Sequence, residues 1–473
     1  METKYKTIAA ISTGTGTSGI GIVRLSGPEA ITIADRIFKG KKPLSLQDSH
    51  TLQYGRIFDN SELIDEVLAT VLRAPKSYTG EDTVEINCHG GRYCLRKTLQ
   101  LLIDNGAAPA MPGEFTKRAF LNGKLDLSQA EAVADLIAAK SRMAGESAVL
   151  ALRGIIKQKV RELRGKIIYN IAYIEAALDD PEHIDLDGYS SELEVALLQY
   201  IDELDMLIQS FDKGRFIREG IRTVILGKPN AGKSSLLNAF LGEERAIVTE
   251  IPGTTRDVLE EILQFEGYDL RLIDTAGLRK TEDPIEKIGV DRAKNQAFNA
   301  DLLLYIIDRS DEKTNDLLLE MQENMHGLEK KIYLFLLNKT DLNTGIKSSD
   351  LDEIIKQVFR SAGVASPTFK IIEISALTGE GIADVEEAIS DLFFKEKINY
   401  NDEVIISNIR HKNALYSAKT SLNKVLESIA AGLPEDFYSI DLTDASNYLG
   451  EITGETTGEE IINEIFAKFC LGK

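Results

Sequence analysis

Short apolar runs broken by glycine turns occupy residues 1 to about 120, among them Gly19–Leu25, Val67–Leu72 and Thr83–Cys88. Runs of that length predict strands of a compact α+β domain. From Asp126 the period lengthens to helical spacing in segments rich in Ala, Leu, Glu and Lys, with Pro181 marking a break and Leu186-Asp187-Gly188 a loop before the next helix. Between about 220 and 396 apolar strand-like runs return: Thr223–Leu226, Leu270–Ile273, Ile332–Leu337 and Ile371–Ile374. The tail is helical again. The pattern predicts a multidomain chain with an α+β domain over 1–121 and an all-α helical domain built from 122–219 plus 397–473. A Ras-like α/β domain over 220–396 is inserted in the helical one.

Each of those four strands leads into a polar motif. Gly227-Lys228-Pro229-Asn230-Ala231-Gly232-Lys233-Ser234 fits the phosphate-loop spacing: the backbone turns its N–H groups inward, Lys233 adds a point charge and Ser234 ligates magnesium. Asp274-Thr275-Ala276-Gly277, Asn338-Lys339-Thr340-Asp341 and Ser375-Ala376-Leu377 close the other three. A lone glycine-rich turn is often an ordinary strand-to-helix connection. Open parallel sheets, however, bind ligands at the carboxyl ends of their strands, and four motifs at four such ends converge on one crevice. Asp341 selects the base. A carboxylate accepts from the ring N–H and the exocyclic amine of guanine, while adenine leaves it unpaired, a difference worth about four orders of magnitude. The predicted ligand is GTP.

Composition narrows the setting. The chain has 473 residues, 43% hydrophobic, ample for a buried core. Three cysteines (Cys88, Cys94, Cys470) make neither a disulfide framework nor a zinc array, and the chain shows neither an apolar signal core nor a membrane-length run, so a cytoplasmic protein with no membrane partner is expected. A net charge of -20 argues against coating nucleic acid by bulk electrostatics. Arg153, Lys157, Arg161 and Arg164 fall on one face of a predicted helix, and we read them as a solvated basic face balanced by acids rather than an RNA contact.

Further runs carry a family resemblance: Ser77-Tyr78-Thr79-Gly80-Glu81-Asp82, His89-Gly90-Gly91, Pro112-Gly113-Glu114-Phe115-Thr116-Lys117-Arg118-Ala119-Phe120, Leu125 to Ala132, and Phe469-Cys470-Leu471-Gly472-Lys473. With the strand-end motifs they make the chain resemble, over essentially its whole length, the tRNA modification GTPase family MnmE, also called TrmE. The resemblance implies a homodimer whose amino-terminal domain binds folate and dimerises. It also implies a flavoprotein partner of the MnmG type carrying FAD, and modification of the wobble uridine of certain tRNAs at carbon 5 to carboxymethylaminomethyl- or aminomethyl-type uridine. The one-carbon unit comes from a folate, as 5-formyl- or methylenetetrahydrofolate, and the nitrogen from glycine or ammonium.

By the same resemblance Arg24, Glu81, Lys124 and Lys473 bind the folate. Glutamate suits the amino and ring N–H groups of a pterin, and Arg and Lys suit the glutamyl carboxylates. Leu278 stands where Ras-like proteins carry a water-orienting glutamine. The resemblance gives that role to Glu286, through a bridging water, and gives potassium to Asn230, Thr249, Ile251 and Thr254. Thr255 completes the magnesium shell. The expected GTP-binding set is Asn230, Ala231, Gly232, Lys233, Ser234, Ser235, Thr249, Glu250, Ile251, Pro252, Gly253, Thr254, Thr255, Asp274, Thr275, Ala276, Gly277, Asn338, Lys339, Asp341, Ser375, Ala376 and Leu377. Cys470 is a candidate catalytic thiol, with a redox-sensitive thiol or a small packed residue as alternatives. The rival reading of the same G motifs is a regulatory ribosome-assembly GTPase switch, which would need an RNA-binding appendage such as a KH domain.

Overall fold

A computed structural model describes every residue except 1–5, 15, 185, 243–259, 266, 274–295, 311–313, 343–344, 365–366, 395–403, 471 and 473. The chain folds as two compact units. One comprises Met1–Ile137, Ala151–Asp205 and Asn413–Lys473, the other Ala138–Leu150 and Met206–Lys412.

The first unit opens with β1 (Ile8–Ile11), β2 (Ile20–Ser26), α1 (Ala30–Ile37), β3 (Phe38–Gly40), β4 (Thr51–Asp59), β5 (Glu62–Leu72), β6 (Thr83–His89), α2 (Arg92–Asp104), β7 (Ala108–Pro109) and α3 (Glu114–Leu121). The strands form one sheet in the order β3-β4-β5-β6-β2-β1-β7, antiparallel except for the β1–β7 pair. Alternation along β2 and β5 sends Val23, Leu25, Val67, Ala69 and Val71 into a core with α1 and α2. The opposite face stays wetter, as a sheet covered on one side allows.

Helices then follow: α4 (Leu127–Ala138), α5 (Arg142–Leu152), α6 (Ile155–Asp179) and α7 (Tyr189–Glu219). The break at Pro181 and the loop through Gly188 fall between α6 and α7, as the sequence pattern predicts. Ile156, Val160, Leu163, Ile167 and Ile174 form one buried stripe on α6, the i, i+3, i+4 geometry of a helix with one apolar face.

In the second unit β8 (Ile221–Leu226), α8 (Lys233–Leu241), β9 (Glu260–Gln264), β10 (Asp269–Ile273), β11 (Leu302–Asp308), α9 (Thr314–Met325), β12 (Ile332–Asn338), α10 (Ser348–Ser361), β13 (Phe369–Glu373) and α11 (Ile382–Phe394) build a doubly wound sheet. Its order is β13-β12-β11-β8-β10-β9, parallel but for the β9 hairpin edge. Leu302–Ile307 and Tyr333–Asn338 are buried without alternation, because helices cover both faces of a parallel sheet.

The remaining helices are α12 (Ile409–Ala430), α13 (Asp436–Thr453) and α14 (Glu459–Ala467). Within the first unit α13 runs against α6, and α14 closes over α3 and α4 through Ile462 and Phe466 on Leu127 and Ala130. The basic face of α6 meets acids there: Lys157 lies 3.4 Å from Asp126, Arg161 3.1 Å from Glu455, and Arg164 pairs with Glu455 while donating to the Ser446 carbonyl. These three cations balance neighbouring carboxylates, while Arg153 stands in the turn between α5 and α6 and not on the helix with them.

Candidate functional site

In the second unit the phosphate loop joins β8 to α8. Gly232 caps α8 with φ 104°, and a side chain there would overlap the Asn338 amide nitrogen, so only glycine admits the approach. Gly232 has no side chain with which to cap α8, and a helix N-terminus at the end of the loop suits an anion. Lys233 Nζ arches over the loop and donates to the Gly227 and Lys228 carbonyls at 2.7 Å each. Lys228 is itself paired with Glu320 of α9 at 3.2 Å.

Asn338, buried at the end of β12, ties three loops together. Its Nδ2 donates to the Ala231 carbonyl at 2.7 Å and its Oδ1 accepts from Ala376 N–H at 2.9 Å. Asp341 Oδ1 accepts from the buried Ser375 hydroxyl at 2.7 Å, and Thr340 N–H donates to the Ile374 carbonyl at 3.2 Å. The Asp341 carboxylate is thus aimed by the Ser375 loop. Four described residues other than glycine adopt positive φ, and two of them, Asn230 (64°) and Lys339 (69°), stand in these loops. Strain of ~1–3 kcal/mol per residue persists where surrounding structure over-determines it, typically at ligand clamps.

Sequence reasoning passed over Asp308. It ends β11, the strand between β8 and β12, and takes Lys339 Nζ at 2.5 Å and the Ser310 hydroxyl at 2.6 Å. Burial alone would raise its carboxyl, but the Lys339 and Ser310 hydrogen bonds outweigh that and hold it below the usual carboxylate range. Its signal was present: an acid closing an apolar strand, like the other motifs. Thr249 to Thr255, Asp274 to Gly277, Leu278 and Glu286 lie outside the described residues. Ser234, Ser235 and the exposed Leu377 are in place beside the loops above.

The first unit carries a second constellation. Arg24 on β2 donates to Glu85 at 2.8 Å, with its guanidinium 5.8 Å from the Tyr78 ring and 5.6 Å from the Phe115 ring. Glu81 sits in the loop before β6. Its Oε2 accepts from the Ser26 hydroxyl at 2.7 Å, and Arg118 of α3 approaches both oxygens, at 3.1 and 3.3 Å. Asn122 donates to the Thr79 carbonyl at 2.7 Å and Lys124 to the Pro75 carbonyl at 3.1 Å, which binds Lys124 to the loop carrying Glu81. Lys473 lies outside the described residues, but its neighbour is seated: the Ser12 hydroxyl donates to the Gly472 carbonyl at 2.9 Å. Gly472 has φ 85°, and a side chain on it would overlap the Ile11 carbonyl. Ile11 pairs with Val23, the residue before Arg24, so the tail ends beside the Arg24 strand.

The cysteines divide sharply. Cys88 is buried and burial pushes its thiol up to about 12, whereas Cys470 is exposed, with its carbonyl accepting from Gly113 N–H at 3.3 Å. Packing against the last helix is therefore not what holds Cys470. The donor chemistry at both sites fits the expected groups: an N–H cradle with a lysine for phosphates, a positioned carboxylate for guanine, and a carboxylate with flanking cations for a pterin bearing carboxylates. No described helix is long and apolar enough to cross a membrane.

A parallel sheet with a phosphate loop, an Asn-Lys-x-Asp loop and a Ser-Ala loop at its strand ends defines a G protein of the phosphate-loop class, here inserted in a larger multidomain chain. Residues 7–124 match the family described as GTP-binding protein TrmE N-terminus, and residues 127–470 the MnmE helical domain. The chain belongs to the tRNA modification GTPase family MnmE (TrmE). It is 49% identical to the tRNA modification GTPase MnmE of Lachnoclostridium phytofermentans and 46% identical to that of Acetivibrio thermocellus, over 99% of this chain and 100% of each relative. Among solved structures, the G domain of the T. maritima FeoB iron transporter is 25% identical over 36% of this chain and 98% of that one, with a TM-score of 0.25.

Proposed function

We propose that this chain is a potassium-stimulated GTPase that acts with a flavoprotein partner of the MnmG type to modify the wobble uridine of certain tRNAs at carbon 5, using a folate one-carbon unit. It works in the cytoplasm as a homodimer, with a folate-binding and dimerisation domain over 1–121, a helical domain over 122–219 plus 397–473, and the G domain over 220–396. The observation that carries the reading is the Asn338 junction, which holds the phosphate loop and the guanine-reading loops together, in a chain matched end to end by MnmE relatives.

In this reading Lys233 and the loop amides hold the phosphates, Ser234 and Thr255 hold magnesium, and Asp341 reads guanine. Glu286 positions the attacking water that Leu278 cannot. Asn230 with oxygens of Thr249, Ile251 and Thr254 holds potassium, which supplies the positive charge that an arginine finger supplies elsewhere. Arg24, Glu81, Lys124 and Lys473 hold the folate, and Cys470 offers a thiol at the uridine chemistry. FAD belongs to the partner.

The test is mass spectrometry of tRNA nucleosides from a strain lacking this chain, complemented with wild type or Lys233→Ala. Restoration by wild type alone is the expected result, and wobble uridines that stay modified without the chain would overturn the reading. Potassium should accelerate hydrolysis well beyond sodium at equal ionic strength. Glu286→Ala should keep GTP affinity while turnover falls roughly 10²- to 10⁴-fold.

A further inference from the structure

Arg118 is 4% exposed, and a guanidinium so buried is costly unless its charge is met. It is met three times. One nitrogen faces both oxygens of Glu81 at 3.1 and 3.3 Å, while the other donates to Glu114 at 2.7 Å and to the Lys6 carbonyl at 2.9 Å. Glu114 lies one turn earlier on α3, and its other oxygen takes Met111 N–H at 2.8 Å, so the guanidinium is anchored on its own helix before it reaches Glu81.

Glu81 is correspondingly constrained. Its Oε2 is engaged by Ser26 at 2.7 Å and by Arg118, whereas Oε1 has, among the described residues, only the long Arg118 approach at 3.3 Å. One oxygen is occupied and the other retains accepting capacity. A carboxylate oxygen held in place with accepting capacity to spare favours a ligand presenting N–H donors. A glutamate without these anchors would sample several rotamers and lose side-chain entropy on binding.

We propose that Arg118 is a positioning residue for folate, acting through Glu81: it holds the carboxylate in one orientation, with Oε1 presented to the pterin N–H groups. This rests on the folate reading of Glu81 given above, and the experiment separates the two. The full chain is titrated calorimetrically with 5-formyltetrahydrofolate, as wild type, Arg118→Met, Glu81→Gln and the double variant, with melting temperatures recorded for each. Loss of charge-assisted hydrogen bonds should weaken binding roughly 10- to 100-fold in each single variant. In the Glu81→Gln background Arg118→Met should add less than about twofold, because its route to the ligand is already cut. Arg118→Lys, which keeps charge but loses the planar fork, should recover part of the affinity. Should Arg118→Met not fold, the same cycle is run with Arg118→Lys.

Equal losses from the Arg118 substitution in both backgrounds would overturn positioning through Glu81 while leaving the folate reading intact. Unchanged binding in Glu81→Gln would instead remove Glu81 from the folate site, and the proposal with it. Melting temperatures that fall without any change in affinity would show that Arg118 serves the fold alone.

Discussion

The nucleotide site and the N-terminal site are built by opposite means. At the first, the geometry is mostly backbone: a helix N-terminus, loop amides and strand ends converge because a parallel sheet brings them to one edge, and side chains such as Asn338 staple the loops. At the second, side chains dominate, drawn from β2, the loop before β6, α3 and the segment after α3. A backbone site leaves a signature of consecutive residues with fixed spacing. A side-chain site leaves scattered charges that look like ordinary surface ions until the fold gathers them.

The sharpest way to break that contrast is at Asp341, where the proposed function has one side chain decide the ligand inside a site built of backbone. Asp341→Asn should reverse preference from GTP towards xanthosine triphosphate, by about four orders of magnitude in relative affinity, read by competition binding. Undiminished guanine preference would remove Asp341 from the base site. Asn338→Ala tests the staple itself. Its two hydrogen bonds join the phosphate loop to the Ser375 loop, and their loss should weaken GTP binding roughly 10- to 100-fold while the fold is retained, as measured by nucleotide titration and circular dichroism.

On the other side, Gly472→Ala should unseat the tail, because the added carbon overlaps the Ile11 carbonyl. The expected readout is faster alkylation of Cys470 by iodoacetamide and weaker 5-formyltetrahydrofolate binding, by several-fold in each; unaltered values would show that the tail seat is irrelevant to that site. The smallest effect concerns His89, at the far end of β6 from Glu81. Its Nδ1 lies 2.6 Å from the buried Asp65 carboxylate, whose hydrogen bond, then charge, raise the imidazole above its ordinary value of 6.5. A group raised on folding contributes stability below its unfolded pKa and loses it as pH rises through the folded value. The melting-temperature gap between wild type and His89→Gln should therefore be widest near pH 5 and narrow above neutrality. The ring is solvent-exposed, so the gap is small.

Much of the architecture is legible in the sequence. Helical period and the Pro181 break placed α6 and α7, and four apolar runs located β8, β10, β12 and β13. The short β3 and β7 and the edge strand β9 escaped notice. Few residues with little periodicity carry too weak a local signal, and their pairing is decided by distant partners. β11 escaped for a different reason: it is as fully buried as β12, but Asp308 closes it alone, whereas a four-residue motif marks the end of β12.

Sequence by itself determined the phosphate-loop and Asn-Lys-x-Asp motifs, because a tight turn with an N–H cradle and an acid at a strand end are properties of a few adjacent residues. It also determined which family the chain resembles. Only the tertiary structure decided that Arg118, one letter within a nine-residue run, is buried between Glu81 and Glu114. Only the structure showed that the basic residues of α6 meet Asp126 and Glu455, and that the last glycine sits against β1. A charge's meaning depends on its solvent and its partner, and both are supplied by residues far away in the chain.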